Sequence, residues 1–256
     1  MPYFHRLDEH RFAATEHVGG AWTLDQQHIA PALGLLTHEV EQDRDRRGVD
    51  GLLVGRLSYD ILGVLPVDTV EVSVRVLRPG RTIELVEATL GHDGRDAVRL
   101  RAWLVRQRAT EDHAGTPLPR LAPPAEVPAW DPTSVWPGGF IDSVEVRREH
   151  EEPGRARYWV RSRTTLLEEP VSDLARFAGL LDIANGMAVR VDPREVVFPN
   201  VDLTAHLFVE PRGEWVGFDT SVSFGPSGLG LTSSVVHDER GPVGTVAQVL
   251  TVRPTG

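Results

Sequence analysis

The chain has 256 residues, 41% of them hydrophobic and 25% charged, with a net charge of -10. That length allows two domains of ordinary size, and that composition supports a packed core rather than disorder. Cysteine is absent and all 27 basic residues are arginine, which excludes disulfides, thiol nucleophiles, cysteine-held zinc, Schiff-base lysines and a phosphate-loop lysine.

The acidic balance argues against nucleic acid as the main partner, because that binding draws on clustered positive charge. The N-terminal string MPYFHRLDEHRF has no apolar signal core, and nothing approaches the ~18 to 20 apolar residues of a membrane span. The expectation is a cytoplasmic protein without membrane insertion.

Taken in chain order, the sequence past Trp22 predicts a helix over 29–42, where Leu33, Leu36 and Val40 form one apolar stripe. Strands are expected near 51–60, 69–78, 81–91 and 95–107, the last two joined by GHDGR, an Asp-Gly hairpin signal. Periodicity then stops over 108–139, a stretch with seven prolines that reads as a linker. Beyond it, strands near 140–148 and 155–167 lead to Ser172, a helix N-cap for SDLARFAGLLDIANGMAV, with Asp173 favourable at the positive end. Strands follow near 194–208, 214–224, 228–237 and 243–253, with DERG in the turn role of GHDGR. The same element order thus occurs twice, and a helix on an antiparallel sheet is an α+β layer solution.

Three strings carry a family resemblance: GAWTLDQQHIAPALGLL, VRVLRPGRTIELVEATL, and the run FPNVDLTAHLFVEPRGEW with SSVVHDERGPVGTVAQVLTV. In order and spacing they resemble the double-hotdog acyl-CoA thioesterases of the thioesterase II-like, actinobacterial type, across nearly the whole chain. The resemblance implies an α+β tandem hotdog, each repeat an antiparallel sheet wrapped around one long helix. The repeats would span 1–108 and 140–256, flanking the linker at 109–139, with the working site in the second. It implies an acyl-CoA substrate, no cofactor or metal, and assembly into a homo-oligomer, for which an open sheet edge gives a physical motive. Transferred by position, the helix Asp of the family falls on Asp182, the strand Gln on Gln248, and the Ser/Thr position on Asn200, a departure in which an amide replaces a hydroxyl.

Read on their own, these residues keep two meanings. Asp182 lies between Leu181 and Ile183; it is either a solvated helix Asp or a buried carboxylate that needs partners. Gln248 shares a strand face with Val246 and Leu250, and is an amide inside a core if that face packs on the helix. Asn200, after Pro199, is a site residue or a simple strand-start residue. A thioester can be cleaved by an oriented water, a general base and an oxyanion donor; the donor is expected to be a backbone N–H around Gly179. His28 either lines the substrate pocket or is a structural residue at a helix entrance, and Trp22 and Trp215 are core or pocket walls.

Aligning Asp60 with Asp202 matches Ser58 to Asn200 and sets Trp103 near Gln248, and the first half lacks a helix carboxylate between Ala30 and Thr37. Rival readings are a non-catalytic acyl-CoA or lipid-binding protein and an enoyl-CoA hydratase. The hydratase needs a His beside the acid, for which only His206 on the following strand is at hand. A serine hydrolase at Ser227 fails the G-x-S-x-G pattern, and the ten His show no H-E-x-x-H metal spacing.

Overall fold

A computed structural model of the protein describes residues 1–20 and 22–255; Ala21, within the first resemblance string, and Gly256, the end of the expected second repeat, lie outside the described residues. Short strands β1 (Phe4–Arg6) and β2 (Arg11–Ala14) precede helix α1 (Ile29–Arg46). Four long strands follow: β3 (Leu52–Ile61), β4 (Thr69–Arg78), β5 (Ile83–His92) and β6 (Arg95–Arg106). The proline-rich stretch holds β7 (Ala129–Trp130) and leads into a single turn, α2 (Gly139–Asp142). Then come β8 (Val144–Glu152), β9 (Arg155–Ser162), α3 (Asp173–Ala178) and α4 (Ala184–Met187). The chain ends with β10 (Val196–Val197), β11 (Asp202–Leu207), β12 (Val216–Phe224), β13 (Leu229–Asp238), β14 (Gly241–Thr251) and β15 (Arg253–Pro254).

Thirteen of these strands form one antiparallel sheet in the order β1-β2-β4-β5-β6-β3-β11-β14-β13-β12-β9-β8-β7. Either side of the β3–β11 seam the long strands run in mirrored order, and the sheet wraps the helices as expected of a tandem hotdog. At the seam Asp202 faces Asp60 and Thr204 faces Ser58, with the Ser58 and Thr204 hydroxyls 3.0 Å apart. Asp60 and Asp202 are therefore cross-strand neighbours in space as well as counterparts in an alignment.

Local chemistry explains the elements. In the β5–β6 hairpin Asp93 and Gly94 take φ of 50° and 71°, the left-handed pair a tight hairpin turn demands. Helix α1 runs four residues beyond the expected end at 42, because Asp43 to Arg46 contain no breaker before Gly48 at φ 65°. Its middle is buried on every side: Leu33, Leu36 and Val40 are fully covered, and so is Thr37. The side facing away from the sheet packs on α3.

The second helix differs from expectation. Instead of one long helix, residues 173–187 form α3, a 3-10 turn at Leu181–Ile183 and α4. The break follows Gly179, where the chain meets α1: a Cβ on Gly34 would lie 2.9 Å from both the Ala175 carbonyl oxygen and the Gly179 Cα. Likewise the strand expected over 194–208 is two pieces, β10 and β11, separated by Pro199, which has no N–H for the ladder. The proline-rich stretch is held against the sheet, with Trp159 Nε1 donating to Ala122 O at 2.8 Å and His237 Nε2 bonded to Pro119 O at 3.0 Å. Trp215 packs beside Trp159 and Val127 beneath it. No helix among the described residues is long and apolar enough to cross a membrane.

The Gly34 contact yields a stability prediction. Alanine is the better helix former by about 1 kcal/mol, yet at this position its methyl meets backbone on α3 that cannot rotate away, and overpacking costs roughly 1–3 kcal/mol. Gly34→Ala is expected to lower the urea midpoint; an unchanged or higher midpoint would show that the two helices do not touch here.

Candidate active site

Asp182 is the centre of the arrangement. The 3-10 turn places Leu181 and Ile183 in the core, and the carboxylate between them is carried inward, 6% exposed. Two amides meet it on one oxygen: Asn200 Nδ2 donates to Oδ1 at 2.6 Å and Gln248 Nε2 donates to the same atom at 3.0 Å. Asn200 is fixed by its second donation, to Asp202 O at 3.1 Å, and by an isolated bridge to Leu250. Gln248 points inward with Val246 and Leu250 while Ala247 and Val249 face out, so the alternation does put an amide in the core. The Gln248 Oε1 is buried and has no hydrogen-bond partner among the described residues.

The first repeat reaches this centre through the start of α1. His28 is the N-cap, its Nδ1 accepting from Ala30 N–H at 3.2 Å while standing 3.9 Å from Asp182 Oδ2. This pair is not an ion pair. Burial lowers the His28 pKa to about 3, and burial raises that of Asp182 to about 7, against the pull of the Asn200 and Gln248 donors. With Nδ1 occupied as an acceptor, the neutral ring carries its proton on Nε2. Next to it, the Ile29 N–H heads an 18-residue helix and has no backbone acceptor among the described residues. Such a donor at the positive end of a helix suits a developing negative charge.

Asp182, His28, Ile29 and Asn200 line a single cavity of about 290 Å³, walled by Trp22, Ile61, Trp136, Ile183 and Met187. Trp136 is held by donation from Nε1 to Gly186 O at 2.8 Å, and Trp22 packs edge-on against its ring at 4.9 Å. The sequence placed Trp136 inside a linker, so nothing marked it as a wall. Ile29 and Asn185, which also line the cavity, were likewise missed; Asn185 was findable by its helical spacing from Asp182.

Gly179 requires a correction. Its N–H donates to Ala175 O at 3.0 Å, closing α3, and its Cα abuts Gly34, so it offers no free donor and lies outside this cavity. His206 is exposed and sits opposite Arg56 on the outer run of the seam. Elsewhere His38, Glu39 and Glu169 converge in a manner that could suit a metal, but the Arg6 guanidinium already lies 2.6 Å from each carboxylate and serves as their cation.

Comparison with known proteins identifies the family. Residues 18–105 match the family model described as the acyl-CoA thioesterase N-terminal domain, and residues 119–252 match the acyl-CoA thioesterase C-terminal domain. The chain belongs to the acyl-CoA thioesterase family. Its enzyme class is accordingly thioester hydrolase. This thioesterase is similar in fold to a hot dog protein of unknown function from Alicyclobacillus acidocaldarius (TM-score 0.76, 16% identity, 97% and 95% of the two chains covered). It is also similar to an acyl-CoA thioesterase II, TesB2, from Mycobacterium marinum (0.69, 16%, 99% and 96%) and to a TesB protein of Mycobacterium avium subspecies paratuberculosis (0.63, 20%, 98% and 96%). No curated protein sequence matches it.

The buried carboxylate links the thioesterase's stability to pH. Because the folded pKa of about 7 lies above the ordinary 3.8, the folded state keeps a proton that the unfolded chain releases between these values. The stability contributed by that proton is therefore full below about pH 4 and is lost as pH rises through about 7. The total is on the order of 4 kcal/mol. Asp182→Asn keeps the acceptor oxygen for both amides and cannot ionise, so it is expected to be more stable than wild type at pH 8, with the gap closing toward pH 4. Urea unfolding at the two pH values checks this; a gap of equal size at both would mean that Asp182 does not titrate in this range.

Proposed function

We propose that the protein hydrolyses an acyl-CoA to the free acid and CoA by direct attack of water, with Asp182 as the base and Asn200 and Gln248 holding that base and the water. The observation that carries this reading is the sharing of one carboxylate oxygen by two amides. With Oδ1 saturated, Oδ2 remains the basic atom, and it faces the cavity side occupied by His28. A water in the cavity that donates a hydrogen to Asp182 Oδ2 keeps a lone pair free for a thioester carbonyl beside it.

Attack forms the C–O bond as Oδ2 takes the proton. The carbonyl oxygen gathers negative charge near the Ile29 N–H at the head of α1. Collapse breaks the C–S bond, the CoA thiolate leaves, and the proton on Asp182 passes to the sulfur. Neither a protein nucleophile nor a metal enters the sequence. In this scheme Asn200 does as a donor what a hydroxyl would do, fixing the carboxylate.

Two rivals fare worse on specific observations. A pure acyl-CoA receptor has no use for a dry carboxylate with a pKa near neutrality, a property that marks catalytic groups in clefts. A hydratase needs an imidazole that can move a proton in concert with the acid, and His28 Nδ1 is committed to the helix cap.

Thiol release from a panel running from acetyl- to stearoyl-CoA tests the proposal. Wild type is expected to turn over, and Asp182→Asn to lose about 10²- to 10⁴-fold, the range for a general base. Activity of the wild type should rise through about pH 7 as Asp182 deprotonates. Gln248→Ala removes a donor that favours the charged form, so its profile should shift to higher pH as well as lower rate. Binding of several acyl-CoAs without cleavage, equally by wild type and Asp182→Asn, would replace the hydrolase with a receptor.

A further inference from the structure

The wall of the cavity is not uniformly apolar. Asn185 follows Asp182 by one helical step of three residues, lines the same cavity and is 8% exposed. Its Nδ2 reaches Phe198 O only at 3.5 Å, the outer limit of a hydrogen bond, and no other side-chain bond holds it among the described residues. From the first repeat Gln27 also lines the cavity, at 6% exposure. Its Nε2 donates to Pro66 O at 2.7 Å, whereas its Oε1 is buried with no partner. Around them stand Trp22, Trp136, Ile183 and Met187.

An amide left unpaired in such a setting costs about 1–3 kcal/mol, a cost that leucine would avoid at either position. A saturated acyl chain gives these amides nothing in return. The groups in need of partners include an acceptor, Gln27 Oε1, which calls for a hydroxyl and not a ketone. Residues three apart on a helix have Cβ atoms about 5–6 Å apart, so a group beside Asn185 lies within a few bonds of a carbonyl beside Asp182.

We propose that Asn185, with Gln27 from the other repeat, reads a hydroxyl on the acyl group close to the thioester carbon, so that the substrate class is the hydroxyacyl-CoAs. The hydroxyl donates to an amide oxygen and accepts from the Asn185 Nδ2. This inference rests on the thioesterase reading above, and extends it from reaction to substrate.

The experiment compares β-hydroxybutyryl-CoA with butyryl-CoA, and β-hydroxyoctanoyl-CoA with octanoyl-CoA, so that chain length and hydroxyl are varied separately. Dissociation constants and thiol release are measured for wild type, Asn185→Leu and Gln27→Leu, with Asn185→Ala used if the leucine variant fails to fold. Wild type is expected to favour the hydroxylated member of at least one pair by about tenfold or more, a difference of about 1.4 kcal/mol. Asn185→Leu should abolish or invert that preference, and Gln27→Leu should reduce it. Equal handling of both members of each pair by wild type overturns the proposal. So does an Asn185→Leu loss that is the same for both, the result expected if the amide touches the CoA arm. A binding preference without any thiol release leaves the hydroxyl inference standing and defeats the hydrolase instead, which keeps the two failures apart.

Discussion

Burying a carboxylate is costly, and in this protein the cost is met on one side only. Asp182 Oδ1 accepts two amide hydrogens, from Asn200 and Gln248, while Oδ2 has only a neutral imidazole at 3.9 Å. A fully satisfied carboxylate would have a low pKa and little basicity, and an unsatisfied one would stay protonated throughout the useful range. Half-satisfaction sets it near 7. The geometry of the surrounding elements follows from that requirement: a broken helix to turn the side chain inward, a strand end to bring Asn200, and an inward strand face to bring Gln248.

The two repeats contribute unequally because their helices differ. Helix α1 is continuous over 18 residues and keeps its full dipole, and His28 and Ile29 at its positive end both line the cavity. Its interior polar groups pair with other elements, Thr37 Oγ1 with the Tyr59 hydroxyl of β3 at 2.6 Å and Glu41 with Ser172 at the start of α3. None of them faces the cavity. The second repeat gives up helical continuity at Gly179, which lets α3 lie against Gly34 of α1 and frees the 3-10 turn that aims Asp182. One helix supplies a positive end and the other a base. The cavity lies where these two meet, beside the end of β3 at Ile61 and the approach to β11 at Asn200, and takes its lining from both repeats.

How far the sequence announced this depends on the kind of signal. Strand alternation is a strict period of two, so Gln248 between Val246 and Leu250 was placed on one face with them, and that face is the inner one. Hairpin chemistry was equally legible at Asp93–Gly94. The helix break was not, because the apolar run of SDLARFAGLLDIANGMAV passes through Gly179 without interruption, and the approach of Gly34 to the chain there is a tertiary contact. The oxyanion donor was misplaced at Gly179 for a local reason: the N–H there closes α3 on Ala175 O. Asn200 was read as either a site residue or a strand start; it lies just before β11, makes an isolated bridge to Leu250, and donates from its own side chain to Asp182. Trp136 was hidden for a different reason, since proline-rich composition reports on local stiffness and says nothing of what the segment packs against.

That segment also bears on the site. Donation from Trp136 to Gly186 O ties the proline-rich stretch to the turn after Asn185, and Trp22 from the first repeat leans on the same ring. Phe198, fully buried, packs against both tryptophans at 5.4 and 5.9 Å, and it immediately precedes Pro199 and Asn200. A shift of the aromatic wall would therefore move Asn200 relative to Asp182, and hydrogen bonds of 2.6 to 3.0 Å tolerate little movement. The wall that bounds the cavity and the amide that fixes the base are thus mechanically one unit, so a change in the group accommodated against Trp136 is felt at the proposed base as well as in binding.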